Sequence, residues 1–119
     1  MQIQAVHLEL RATDLLRSER FYHQLFDAPP TVNHSAGFVL FTVYGAELLV
    51  LPGTVVPVRF GFRLARQADL DALARRCSAR SLPFERRQFD HPALARREVA
   101  LNFVDPDGHR CSFYLLTQG

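Results

Sequence analysis

The stretch that most limits what this chain can fold into is Asp105-Pro106-Asp107-Gly108, set between two runs of alternating residues. Aspartate suits the first position of a β-turn, proline has its φ already fixed for the second, and glycine suits the last. Before the turn, Val99, Leu101 and Phe103 alternate with Ala100 and Asn102, the period-2 pattern of a strand with two different faces. After it, His109 to Leu116 returns as a second strand. A hairpin from about Arg97 to Leu116 is therefore expected. On its own it specifies structure and no chemistry.

The opposite end is also patterned. Residues 3–11 place Val6, Leu8 and Leu10 on one face of a strand and His7, Glu9 and Arg11 on the other. Thr13 or Asp14 can cap a following helix, whose Leu15, Phe21 or Tyr22, Leu25 and Phe26 form an apolar stripe. Ala28-Pro29-Pro30 ends it, because consecutive prolines cannot continue a helix. Phe38 to Tyr44 reads as a strand, Gly45-Ala46 as a turn, and Glu47 to Leu51 as the returning strand. Pro52 to Pro57 is a short crossover.

The plan then repeats. Val58 to Leu64 is a strand with Phe60, Phe62 and Leu64 on one face, and Asp69 starts a helix carrying Leu70, Leu73 and Cys77. Ser81 to Phe84 begins a short strand toward Phe89, Asp90-His91-Pro92 marks a loop, and the hairpin follows. Both halves read β-α-β-β-β, with His7 and Arg59 in equivalent first-strand positions. Module 1 spans about residues 1–52 and module 2 about 58–119, within one domain.

The two ends together resemble the vicinal-oxygen-chelate superfamily, which includes glyoxalases, extradiol dioxygenases, fosfomycin-resistance enzymes and bleomycin-resistance proteins. The matching features are His7-x-x-Leu10-Arg11, Asp14-Leu15-x-x-Ser18-x-x-Phe21-Tyr22, and Asp105-Pro106-Asp107-Gly108-His109. The resemblance implies an α+β fold of two paired βαβββ modules forming a curved mixed sheet. It also implies that the polar sheet faces line a cavity, within one chain or across a homodimer. That polar inventory is His7, Glu9, Arg11, Glu47, Arg59, Arg63, Arg110 and Ser112.

Family members that do chemistry hold one divalent metal through His and Glu ligands, one from each of four strands. The metal acts as a Lewis acid on neighbouring substrate oxygens. Carried over by position, the first His ligand falls on His7, the second on Arg59, and the Glu after the hairpin turn on Ser112. The middle ligand falls on Glu47, or on Leu49 if the hairpins are matched at Gly45 and Gly108. Arg59 offers only donors and a permanent charge, and Ser112 only a neutral hydroxyl. His7 and Glu47 are then too few for a catalytic site, which usually takes about three protein ligands. No cofactor is expected. The alternative is a nickel, zinc, manganese or iron ion on His7 and Glu47, with a shifted alignment or ligands from a partner chain, such as His34 or His109.

Two functions follow. One is a metal-free small-molecule-binding protein of the bleomycin-resistance kind, a homodimer whose ligand is anionic or carbonyl-bearing. Arg11, Arg59 and Arg63 would meet that ligand, unless they pair with Glu9 and Glu47. The other is a metal-dependent lyase or isomerase, thiol transferase or extradiol dioxygenase. Catalytic residues are not identified by the sequence; His7 and Glu47 are the candidates, and a metal-free general base is a variant. A third, regulatory protein-docking role has no specific support.

His109 is expected to face solvent beside the turn, with His23 and His91 on the surface. Composition excludes further classes. A net charge of +2 from fourteen Arg and no Lys is too weak to imply nucleic-acid or membrane binding. No apolar run reaches a membrane-spanning length, and no basic-then-apolar leader opens the chain. Cys77 and Cys111 lack metal-type spacing and fit buried thiols of a cytoplasmic protein.

Overall fold

A computed structural model describes residues 1–118. Seven strands and two helices follow in the order β1 (Val6–Ala12), α1 (Leu15–Phe26), β2 (Val39–Val43), β3 (Ala46–Pro52), β4 (Arg59–Arg63), α2 (Gln67–Ala79), β5 (Glu85–His91), β6 (Arg96–Val104) and β7 (Arg110–Gln118). They form two compact units. The first comprises residues 1–58 together with the turn 105–109, and the second residues 59–104 with the strand that begins at Arg110.

In the first unit the strand order is β1-β3-β2, with β1 parallel and β2 antiparallel to the central β3. Leu10, Val39, Phe41, Leu48 and Val50 are buried on one sheet face, and Tyr22, Leu25 and Phe26 are the buried stripe of α1. Spacings of three and four along α1 put those side chains on one side of the helix. Tyr22 stacks on Phe26 at a centroid distance of 5.4 Å, and both rings meet Phe41 edge-on. Asp14 is the helix cap, its carboxylate accepting the Arg17 N–H at 3.1 Å. Asp14→Ala should therefore cost about 1 kcal/mol, read as a lower urea midpoint at unchanged slope.

The first half carries fewer strands than its sequence pattern suggests. Where a β-α-β-β-β unit would place its second strand, only an isolated bridge of Val32 with Leu40 forms. Pro29 and Pro30 supply no N–H to a ladder just before it. Tyr44 also leaves the strand expected for it. With Gly45 it forms a two-residue loop with φ values of 53° and 73°, the primed turn that right-twisted hairpins favour. The Tyr44 ring packs edge-on against Phe26 at 6.0 Å.

In the second unit the order is β4-β7-β6-β5, with β4 parallel to β7 and the other pairs antiparallel. Leu70, Leu73 and Cys77 are the buried face of α2, and Leu101, Phe103, Cys111 and Phe113 are buried in the sheet. The helix begins at Gln67, two residues before Asp69. Its cap position is Arg66, which gives no side-chain cap and instead donates to the Asp69 carboxylate at 3.2 and 3.4 Å. Asp90 and His91 end β5 rather than a loop.

Both cysteines are free and buried. Burial pushes the Cys77 thiol up, against the pull of Arg76 and Arg80. The folded state thus favours the neutral thiol. Its contribution to stability is present below the ordinary thiol pKa and fades as pH rises through the raised one. No described helix is long and apolar enough to cross a membrane.

Candidate functional site

Each unit leaves one sheet face away from its helix. In the first unit the parallel pairing sets His7 beside Glu47, Glu9 beside Leu49 and Arg11 beside Leu51. His7 Nδ1 lies 3.4 Å from Glu47 Oε2, and His7 Nε2 lies 3.6 Å from Glu9 Oε1, with all three side chains about half exposed. The structure thus brings His7, Glu9 and Glu47 together. Arg11 stands apart from the carboxylates, its Nη1 donating to the Pro52 carbonyl at 3.3 Å.

This arrangement does not fit a four-ligand metal site. The imidazole sits between its two carboxylates, one at each ring nitrogen, so no single point is shared by the three. Among the described residues no group of three or more His, Cys, Asp or Glu side chains could hold one ion. The strand registers narrow the donor set further. His7 pairs with Glu47 as Arg59 pairs with Arg110, and Leu49 takes the place that Ser112 has in the second unit. On that correspondence the positions equivalent to the two halves' ligands are His7, Leu49, Arg59 and Ser112.

His109 is a correction. It is 1% exposed rather than solvent-facing. Its Nδ1 accepts the Val58 N–H at 3.0 Å, and its Nε2 lies 2.7 Å from the Arg11 carbonyl, which requires the proton on Nε2. Around it the turn is tied down in the first unit: Thr13 Oγ1 donates to Asp107 at 2.7 Å, and the Tyr22 hydroxyl to Asp105 at 2.7 Å. His109 is thus a structural residue with both nitrogens in use. His34 is likewise engaged, its Nδ1 3.1 Å from Glu19 Oε1, and His91 pairs with Glu98 at 3.4 Å.

The second unit holds a groove of about 510 Å³. Its floor follows from the registers. Arg59, Arg110 and Val104 form one row across β4, β7 and β6, and Gly61, Ser112, Asn102 and Glu85 the next. Arg87 and then Glu98 with Phe89 continue it, while Pro83 and Phe84 flank it. The Ser112 hydroxyl donates to Asn102 Oδ1 at 2.5 Å. Arg87 pairs with Glu85 at 2.6 Å. Among the described residues no carboxylate pairs with Arg59, Arg63 or Arg110. Arg63 lies beside Tyr114, outside the groove lining.

Of the residues expected on the polar sheet faces, Arg59, Arg110 and Ser112 therefore share this groove. Asn102, Phe84 and Phe89 were not among them. Asn102 could have been found by counting back from the turn, since antiparallel pairing across it sets Asn102 opposite Ser112. Nothing local marks Phe84 or Phe89 as lining a hollow.

A family model for the Glyoxalase/Bleomycin resistance protein/Dioxygenase superfamily matches residues 4–113. Similar solved structures include lactoylglutathione lyase from Agrobacterium tumefaciens, at 21% identity over 92% of this chain and 91% of that one, with a TM-score of 0.72. A glyoxalase/bleomycin resistance protein/dioxygenase from Alicyclobacillus acidocaldarius reaches a TM-score of 0.77 at 18% identity, covering 93% and 89%. Oxidase ChaP-H2 matches with a TM-score of 0.65 at 20% identity over 100% and 98%. At these identities the likeness is one of fold. No curated protein matches the chain.

Proposed function

Because the chain belongs to the Glyoxalase/Bleomycin resistance protein/Dioxygenase superfamily, we propose that it works as a small-molecule-binding member whose site has lost the family's metal. The observation that carries this reading is the donor set. Arginine and serine stand where the resemblance puts ligands, and the one imidazole left is bracketed by two carboxylates on opposite nitrogens. Such a set can hold and orient a ligand by hydrogen bonds but offers an ion too few donors at one point. The groove of the second unit, walled by Arg59, Asn102, Ser112 and Phe84, supports capture. Its volume falls within the roughly 300–1,000 Å³ usual for small-ligand pockets. A homodimer in the cytoplasm belongs to the same proposal.

The test is equilibrium dialysis of the purified protein against neutral, cationic and anionic small molecules, with mass spectrometry of what is retained. Capture predicts saturable retention of at least one compound, recovered unchanged. Affinity should move by less than about twofold when chelator or nickel, zinc, manganese or iron is added, a change below about 0.4 kcal/mol. Turnover that needs one retained ion per chain would instead establish a lyase, isomerase, thiol transferase or dioxygenase. In that event His7→Ala should abolish it.

A further inference from the structure

We propose, resting on the small-molecule capture set out above, that the groove of the second unit is a clamp for an oxyanion carried on a flat apolar body. Arg59 and Arg110 grip the oxyanion head, and Phe84 and Phe89 receive the body.

Two guanidiniums side by side are the first ground. Arg59 and Arg110 are direct neighbours across the parallel β4–β7 pairing, and both line the groove. Like charges set opposite each other across strands are unfavourable, and neither arginine can shed its proton. A protein normally relieves such a pair with a carboxylate. Here neither carboxylate of the groove pairs with them: Glu85 is held by Arg87 at 2.6 Å, and Glu98 stands across the sheet, 3.4 Å from the His91 ring. An anion from solution is the missing partner.

The hydrogen-bonding wall beside them supplies the second ground. Ser112 spends its hydroxyl proton on Asn102 Oδ1. The Asn102 amide then keeps its two N–H groups, with no acceptor among the described residues. Next to the arginine row the groove therefore offers donors, which selects a head rich in acceptors. Carboxylate and phosphate share that chemistry, and the guanidinium fork matches either in a bidentate pair. A cationic head is excluded by the same two charges.

The rest of the groove combines an apolar surface, from Pro83, Phe84, Phe89 and Val104, with the charged side chains of Glu85, Arg87 and Glu98. Pro83 and Phe84 lie on its flank, Val104 ends the arginine row and Phe89 lies further along, 44% exposed on an otherwise polar edge strand. An exposed ring over a hollow suits the face of a planar group better than water. Inorganic anions would leave that surface unused.

The probes are phenyl phosphate, benzoate, inorganic phosphate and neutral benzamide, titrated into the whole protein by ligand-observed NMR and dialysis. Phenyl phosphate should bind saturably, and inorganic phosphate about tenfold more weakly. Arg59→Gln and Arg110→Gln should each weaken phenyl phosphate about tenfold, with Arg59→Lys recovering only part because the ammonium lacks the fork. Both side chains are exposed and each variant relieves the like-charge pair, so the variants should unfold at or slightly above the wild-type midpoint, and that measurement accompanies the titrations. Benzamide binding as tightly as phenyl phosphate, or indifference of phenyl phosphate to both Gln variants, would overturn the clamp. Equal affinity for inorganic and phenyl phosphate would overturn the apolar half. If neither aryl anion binds while neutral or cationic compounds of the dialysis panel do, the clamp fails and capture stands. If nothing of any class binds, capture itself fails.

Discussion

Asp105→Ala should remove about 3–4 kcal/mol of stability, the largest loss expected from one side chain outside the apolar core. Asp105 is 6% exposed and works on both oxygens. Oδ2 accepts the Tyr22 hydroxyl at 2.7 Å, and Oδ1 accepts the Asp107 and His109 N–H groups, each at 2.9 Å. Tyr22 is fully buried, so truncating Asp105 takes from its hydroxyl, and from two backbone donors, the carboxylate they share. Each lost acceptor costs about 1–3 kcal/mol, and shared relaxation keeps the total below the sum. Asp105→Asn keeps one carbonyl oxygen but turns an NH2 toward a former donor. It should fall between wild type and alanine. Tyr22→Phe removes the hydroxyl bonded to Asp105 and leaves the two backbone N–H bonds of Oδ1 in place, at about 1–1.5 kcal/mol. Urea midpoints at constant slope measure all three, and a loss under about 1 kcal/mol for Asp105→Ala would mean that the turn is fixed without its carboxylate.

That role was half legible in the sequence. Asp105, Pro106 and Gly108 announce a turn through local rules, and the Gly108 N–H indeed bonds the Asp105 carbonyl at 3.1 Å. What Asp105 does beyond the turn depends on Tyr22, 83 residues away, and no local pattern encodes a distance of that kind. His109 shows the same limit. Its neighbours in sequence suggest solvent, whereas Val58 and Arg11, 51 and 98 residues distant, bury it. Alternation assigned His7, Glu47, Arg59 and Ser112 to sheet faces, because period 2 is a property of the strand itself. Which residues meet across strands is set by register, and for parallel pairs register is settled by the packing of segments far apart in the chain. The contacts of His7 with Glu47 and of Arg59's row with Arg110 therefore had to be seen. The reduced second strand of the first half lies between these cases. Pro29 and Pro30 were read as a helix stop, and the same missing N–H groups also weaken the ladder that would follow.

Gly61→Ala should destabilise by about 2 kcal/mol and Gly61→Val by about 3 kcal/mol, although the usual rule points the other way. Glycine inside a strand costs backbone entropy and packs nothing, so alanine there is ordinarily favourable by about 0.5–1 kcal/mol. Gly61 occupies the middle of β4 with ordinary negative φ, and its backbone gives no reason to need glycine. Space does. A Cβ at this position would stand 2.9 Å from the Ser112 carbonyl oxygen and 3.5 Å from the Tyr114 ring. The nearer atom is main chain in β7, the partner on which β4 depends for its pairing. It cannot swing aside as a flexible side chain could, so the methyl must push the two strands apart. Steric cost then outweighs the entropic gain, and the sign reverses. The same displacement would shift Arg59 against Arg110 and Ser112 against Asn102. Gly61→Ala should therefore also weaken phenyl phosphate if the clamp is right, by about threefold or more. A stabilised Gly61→Ala protein would show that β4 and β7 can part without strain, and the close approach of Gly61 to the Ser112 carbonyl would not be what requires glycine there.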